Sequence, residues 1–305
     1  MSGPTLPGDW AGQRLDRAVA RLLRAQGWNL SVRQVRRALR AGHLTVGGRS
    51  RAPGERIRGG EAVDLEGFVP PAVAPVAPRP DLVPAVAIVH TGPDWWALSK
   101  PAGLPTLPRT EPPDGPSLLS AALALDPAVA EAGPPREGGV VHRLDNGASG
   151  VVVVARTPQA RARWRRAFAA REVHKTYLAR VIRSSPGFEP GQRLAIRGPI
   201  ETTGGPRVRF HCNESEGPTS EIWILWVRGP QAGVRVATDS GARHQVRVHL
   251  AAAELPIHDD PLYGPKPFEK PDPHTPFALH AESLRWNQQV VQAPPPSWWP
   301  DDDAP

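Results

Sequence analysis

The chain has 305 residues, 40% of them hydrophobic and 22% charged, which is enough apolar material for one large domain or two smaller ones. Thirty-seven Lys and Arg against 30 Asp and Glu give a net charge of +7, carried almost wholly by arginine, and this balance favours a nucleic-acid partner. A single cysteine, Cys212, excludes an internal disulfide and a cysteine-built zinc site. No apolar run reaches the roughly 20 residues of a membrane helix, and the opening MSGPTLPGDWAGQ lacks the basic and apolar regions of a secretion signal, so a soluble, cytoplasmic protein is expected.

The charge is concentrated near the front. Between Gly12 and Gly60 twelve arginines face only Asp16 and Glu55, a local charge of +10 that exceeds the whole-chain value. Leu15, Ala18, Val19, Leu22 and Leu23 recur at helical spacing and predict a first amphipathic helix. A second helix is predicted from Ser31, where SVRQ has the form of a capping box closed by Gln34, to a stop at Gly42. Val32, Val35 and Leu39 form its apolar side, while Arg33, Arg36, Arg37 and Arg40 form its wet side. HLTVGGRS and GEAVDLEG then read as short strands joined by glycine-rich turns. This small α/β module is expected over residues 10–66.

Residues 67–85 are rich in proline and are expected to form an extended spacer between domains. From there to residue 290 short apolar runs, among them AVAIVH, WWALSK, GVVVVAR, TYLARVI, EIWILWVR and GVRVATD, predict strands. Helices are predicted around Pro116–Leu125, Pro158–Arg171 and Ala242–Ala253. Strands and helices do not alternate regularly, so the expected fold is α+β around a mixed, largely antiparallel sheet. Residues 291–305 are expected to be irregular. No glycine-rich nucleotide motif occurs. His142, His244 and the HDD of His258–Asp260 lack tight metal-ligand spacing, so no cofactor or metal is expected.

Charged clusters punctuate the larger domain in a fixed order: KPAGL from Lys100, HRLD at 142–145 followed by NGASG, KTYLA from Lys175, HQVRVH from His244, PIHDDPLYG from Pro256 and LHA from Leu279. In this order they resemble the catalytic domain of RluA-type RNA pseudouridine synthases. The basic front segment resembles the alpha-L RNA-binding module. Together the two resemblances cover about five sixths of the chain.

The resemblance implies that uracil is detached from C1′ of its ribose, rotated and rejoined through C5, without cofactor or metal, in ribosomal or transfer RNA. It assigns Asp145 as the catalytic carboxylate, suited to electron-poor character at C1′ whether it attacks or removes a ribose proton. It makes Tyr177 the stacking platform for a flipped uracil and places His142 and Arg143 beside the flipping step. Lys100, His244, Gln245 and Arg247 become further pocket candidates, and Arg33, Arg36, Arg37 and Arg40 the RNA contacts of the front module. Lys100 alone reads as a surface lysine at a turn, and the resemblance makes it a structural or RNA contact.

The pattern departs from the family at four places. Ala148 stands where threonine is usual, and Glu254 and Asp259 stand where glycine is preferred. In SGARHQ the arginine expected to pair with the catalytic aspartate is displaced by one, from Ala242 to Arg243, which is therefore the candidate partner of Asp145. These departures sustain a second reading, an RNA-binding relative with weak or lost activity that assists RNA folding or ribosome assembly.

Overall fold

The computed structural model describes residues 3–28, 30, 32–65, 74–108, 115–212, 216–266, 272 and 274–300. The chain divides into two compact units, Met1–Ala72 and Val73–Pro305.

In the first unit α1 (Leu15–Ala25) and α2 (Val32–Arg40) precede an antiparallel pair, β1 (Thr45–Val46) and β2 (Val63–Asp64). The apolar positions read from the helical spacing do meet: Leu15, Val19, Leu22 and Leu23 pack with Val35, Leu39, Leu44, Val46 and Ile57 in one core. Within it lies Asp16, fully buried. It accepts from Arg14 Nε and Nη2 at 3.2 and 2.9 Å and from Arg36 Nε at 2.5 Å, clipping the start of α1 to α2. Burial pushes the Asp16 pKa up, but the two guanidiniums prevail and hold it at about 2. Ser31, the expected helix cap, lies outside the described residues.

The second unit opens with a 3-10 helix, Pro80–Ala85, then β3 (Ala87–Thr91), β4 (Trp95–Lys100), α3 (Leu118–Leu125), α4 (Ala128–Glu131), β5 (Ser149–Ala155), α5 (Pro158–Ala169) and β6 (His174–Ile182). There follow β7 (Arg193–Arg197), β8 (Ile200–Thr202), β9 (Val208–Phe210), β10 (Thr219–Arg228), β11 (Gln231–Thr238), α6 (Gln245–Ala252), β12 (Leu279–Trp286) and β13 (Gln289–Gln292). The main sheet runs β3-β4-β5-β12-β6-β11-β10-β7, with β13 against β12, and β8–β9 form a separate hairpin. Among the described residues only β5 and β12 pair in parallel, Ser149 opposite His280 and Gly150 opposite Ala281. The fold is thus α+β with a mixed, largely antiparallel sheet.

The valine run of β5 has a direct packing reason. Val152 and Val154 join the leucines of α3 in one core, while Val151 and Val153 meet Trp164 of α5 in another. A strand covered on both faces needs no polar alternation. Its start sets the position of the turn that carries Asp145.

Two boundaries differ from the sequence reading. Residues 74–85 are not a free spacer: Val76 is buried, Leu82 packs on the same core, and Arg79 N–H donates to Ser120 O at 2.9 Å. The prolines do not keep it extended either: Pro80 opens the 3-10 helix with a preset φ, and Pro84 lies within it. Nor is the segment after 290 irregular throughout. β13 pairs with β12, Trp298 packs on the core, and Trp299 lies 5.8 Å from the Trp226 ring, because large aromatic side chains anchor the backbone between prolines. No helix among the described residues is long and apolar enough to cross a membrane.

Candidate active site

Asp145 occupies the turn before β5, and the turn is built around a lysine. Lys100, at the end of β4, is fully buried, and its Nζ donates to the carbonyls of Pro101, Leu104, Asn146 and Ala148 at 3.0, 2.8, 3.1 and 2.5 Å. Burial draws its pKa down to about 7, Asp145 raises it, and the ring of carbonyl oxygens also favours the ammonium form. Lys100 is therefore not a surface lysine; of the two roles the resemblance offered it fills the structural one, as the internal post of the turn that carries Asp145. Thr106 Oγ1 adds a second hold, accepting from Leu144 N at 3.2 Å and donating to Leu144 O at 3.1 Å. Gly150 has φ of 115°, and a β-carbon there would lie 2.2 Å from Ala281 O, so only glycine lets β12 approach.

The arginine that meets Asp145 is Arg247. Its Nη1 donates to Asp145 Oδ2 at 2.9 Å, while Nε and Nη2 form a fork with Asp260, each bond 2.7 Å. Backbone amides of Leu262 and Tyr263 also donate to Asp260 Oδ1, at 2.9 and 3.0 Å, and Phe277 lies beneath the guanidinium. Arg243, the partner expected from the sequence, turns elsewhere: it donates to the carbonyls of Gly205 and Pro206 at 3.1 and 2.9 Å. The cause is local, for His244 has φ of 57° and α6 starts only at Gln245, so Arg243 lies outside the helical period. Burial raises the Asp145 pKa, but Arg247, with His244 and Arg143, brings it below its ordinary value, so the carboxylate is ionised.

Around Asp145 lies a cleft of about 450 Å³ lined by His142, Arg143, Lys175, Tyr177, His244 and Arg247 among others. Tyr177 enters from the middle of β6, and burial raises its hydroxyl pKa, leaving a neutral aromatic wall. Arg143 is exposed at the cleft. His142 is turned to structural use: its Nε2 accepts from Val153 N–H at 3.0 Å, its ring lies 4.6 Å from Phe168, and burial, aided by Lys175, draws its pKa to about 3. It is a neutral strand-holding side chain and not a cationic RNA contact. Gln245 is buried and ties the turn before α6, Oε1 accepting from Ser240 Oγ and Ala242 N, Nε2 donating to Thr219 O and Thr238 Oγ1. Among the described residues no group of three or more His, Cys, Asp or Glu is arranged to hold a metal ion.

The sequence reading missed several participants. Lys175 donates to Ser240 O under the cleft, and Arg165 and Phe168 of α5 line its rim. Asp260 and Tyr263 lay inside a quoted motif, yet only the fold brings them to Arg247 and His244.

A sequence-family profile for RNA pseudouridylate synthase matches residues 94–252, just over half of the chain. The ribosomal large subunit pseudouridine synthase D of Xylella fastidiosa is 33% identical over 264 residues, 85% of this chain and 74% of that protein. The chain belongs to the RNA pseudouridylate synthase family. The ribosomal large subunit pseudouridine synthase D of Yersinia pestis is 31% identical, over 84% of this chain and 74% of that protein. Among solved structures, human RNA pseudouridylate synthase domain containing 4 shares the fold, with a TM-score of 0.52 and 19% identity over 72% of this chain and 92% of that one. As an RNA pseudouridine synthase the protein isomerises uridine: the C1′–N1 bond is broken, a C1′–C5 bond is made, and the hydrogen lost from C5 is balanced by one gained at N1. For a family with this chemistry, an ionised carboxylate in a cleft is the group of first interest.

Proposed function

We propose that this pseudouridine synthase modifies large-subunit ribosomal RNA in the cytoplasm, with Asp145 as the carboxylate that acts at the ribose. The observation that carries the assignment is the asymmetric environment of that carboxylate: Oδ2 accepts from Arg247 at 2.9 Å, whereas His244 Nε2 stands 3.8 Å from Oδ1, beyond hydrogen-bond distance. One oxygen is anchored and the other remains open to a substrate atom. Tyr177 is the wall against which the flipped uracil packs, and Arg143 is the exposed side chain long enough to occupy the vacated place in the RNA. The first unit grips RNA through the basic side of α2. The ribosomal substrate is supported by the named activity of the relatives, and the cytoplasm follows from that substrate. With Arg247 on Asp145, the displaced arginine no longer argues for an inactive relative.

The test is to map pseudouridine in ribosomal and transfer RNA of cells making either the wild-type protein or the Asp145→Asn variant. At least one large-subunit uridine should lose its modification, and activity in vitro should fall by roughly a thousandfold or more. Loss confined to transfer RNA would move the substrate; an unchanged map would refute the role of Asp145.

A further inference from the structure

His244 stands at the start of α6 in left-handed backbone, φ 57°, a conformation that a residue with a β-carbon keeps only under constraint. The constraint comes from outside the helix. Tyr263 Oη lies 3.0 Å from His244 Nδ1, and the same Oη lies 2.7 Å from the backbone N of Val208 on the β8–β9 hairpin. An amide can only donate, so Oη accepts from Val208 and has its own hydrogen to give to Nδ1. An imidazole whose Nδ1 accepts carries its proton on Nε2. That Nε2 is the atom 3.8 Å from Asp145 Oδ1, the oxygen Arg247 leaves open. Arg243 secures the same hairpin through Gly205 O and Pro206 O, so two successive residues tie it to the edge of the cleft.

We propose that His244 is a positioning residue for the isomerisation: a neutral imidazole whose Nε2 proton, set by Tyr263, fixes Oδ1 of Asp145 once the nucleotide fills the cleft. The inference rests on Asp145 being the catalytic carboxylate. At 3.8 Å the contact is longer than a hydrogen bond, and less than 1 Å of movement would close it, as catalytic hydrogen bonds commonly tighten in the substrate complex. The groups facing the imidazole are Asp145 from the turn before β5, Arg247 from α6, Asp260 and Tyr263 from the segment after it, and Arg243 beside it. Burial draws its pKa to about 4, Arg247 and Arg243 act in the same sense, and Asp145 and Asp260 oppose them, leaving the ring neutral at working pH.

The test uses the full-length protein and an unmodified large-subunit ribosomal RNA transcript. His244→Gly removes the side chain and also the left-handed strain, so its melting temperature should not fall. Its kcat should drop roughly tenfold or more, with KM changed by less than about threefold. His244→Gln returns an N–H near the Nε2 position and should restore most of the rate. Tyr263→Phe takes away the proton offered to Nδ1 and lets the ring carry its own proton there, turning a bare Nε2 towards Asp145, so its kcat should fall at neutral pH. Full kcat in His244→Gly, no recovery in His244→Gln, or full kcat in Tyr263→Phe would each overturn the proposal. An active Asp145→Asn enzyme would instead overturn the carboxylate assignment beneath it; an inactive one beside a fully active His244→Gly removes the inference alone.

Discussion

A guanidinium only 4% exposed must find its acceptors inside the protein, and Arg247 finds them on Asp145 and Asp260. Asp260, 1% exposed, depends on that cation. Arg247→Met should therefore remove activity and lower the unfolding free energy by about 3–5 kcal/mol, the scale of stranding a buried charge, as measured by urea denaturation. Arg247→Lys should recover little of either, since one ammonium cannot replace a fork on one carboxylate and a third bond on another. A loss below about 1 kcal/mol would show that Asp260 finds another partner. Arg247 was visible in HQVRVH, as were Asp145 and Tyr177, but its pairing was not. Which arginine reaches a carboxylate a hundred positions away is decided by the left-handed turn at His244, which no helical period anticipates.

Helix pairs and strand ends carry their own dependencies. The Asp16 clip between α1 and α2 has a folded-state pKa of about 2, below its ordinary value. A depressed carboxylate contributes stability that is present above its unfolded pKa and is lost as pH falls towards the folded one. The first unit should accordingly weaken between about pH 4 and pH 2, and Asp16→Asn should be less stable at neutral pH but lack that acid dependence, followed by circular dichroism. After α6, Glu254 and Asp259 each hold φ of 62°, the backbone that explains why glycine suits both positions. Glu254→Gly should stabilise by about 0.5–1 kcal/mol despite removing an exposed hydrogen bond from Ser185, seen as a raised melting temperature. A fall would mean that the Ser185 hydrogen bond outweighs the backbone strain. The long, periodic or fully apolar elements were legible, β5 above all. The strands β7, β8 and β9 were not, because RLAIR, IET and VRF, three to five residues each, are too short to carry a periodic signal.

Charge and proline content together marked a basic front portion and a larger rear portion; the compact units of the structure are Met1–Ala72 and Val73–Pro305. The edges were less legible, since Val76, Leu82 and Trp298 anchor segments whose prolines suggested a spacer and a tail. The distribution of arginine also refines what α2 can offer RNA. Arg36 is bound to Asp16, so replacing it would disturb the fold as well as any grip on RNA. Changing Arg33, Arg37 and Arg40 to alanine and leaving Arg36 in place is the cleaner experiment. Filter binding across a salt series should show weaker RNA affinity and a log K against log salt slope reduced by about 0.7–0.9 for each phosphate that is no longer neutralised. An unchanged slope would remove α2 from the interface.

Asp145 and the Asp260 behind it are balanced by Arg247 and by Lys175 of the cleft lining, while Arg143 and Arg165 stand at that lining with exposed guanidiniums. The charge that is not balanced in the depth is thus the exposed arginine at the opening, the side where a phosphodiester backbone would find a counter-charge.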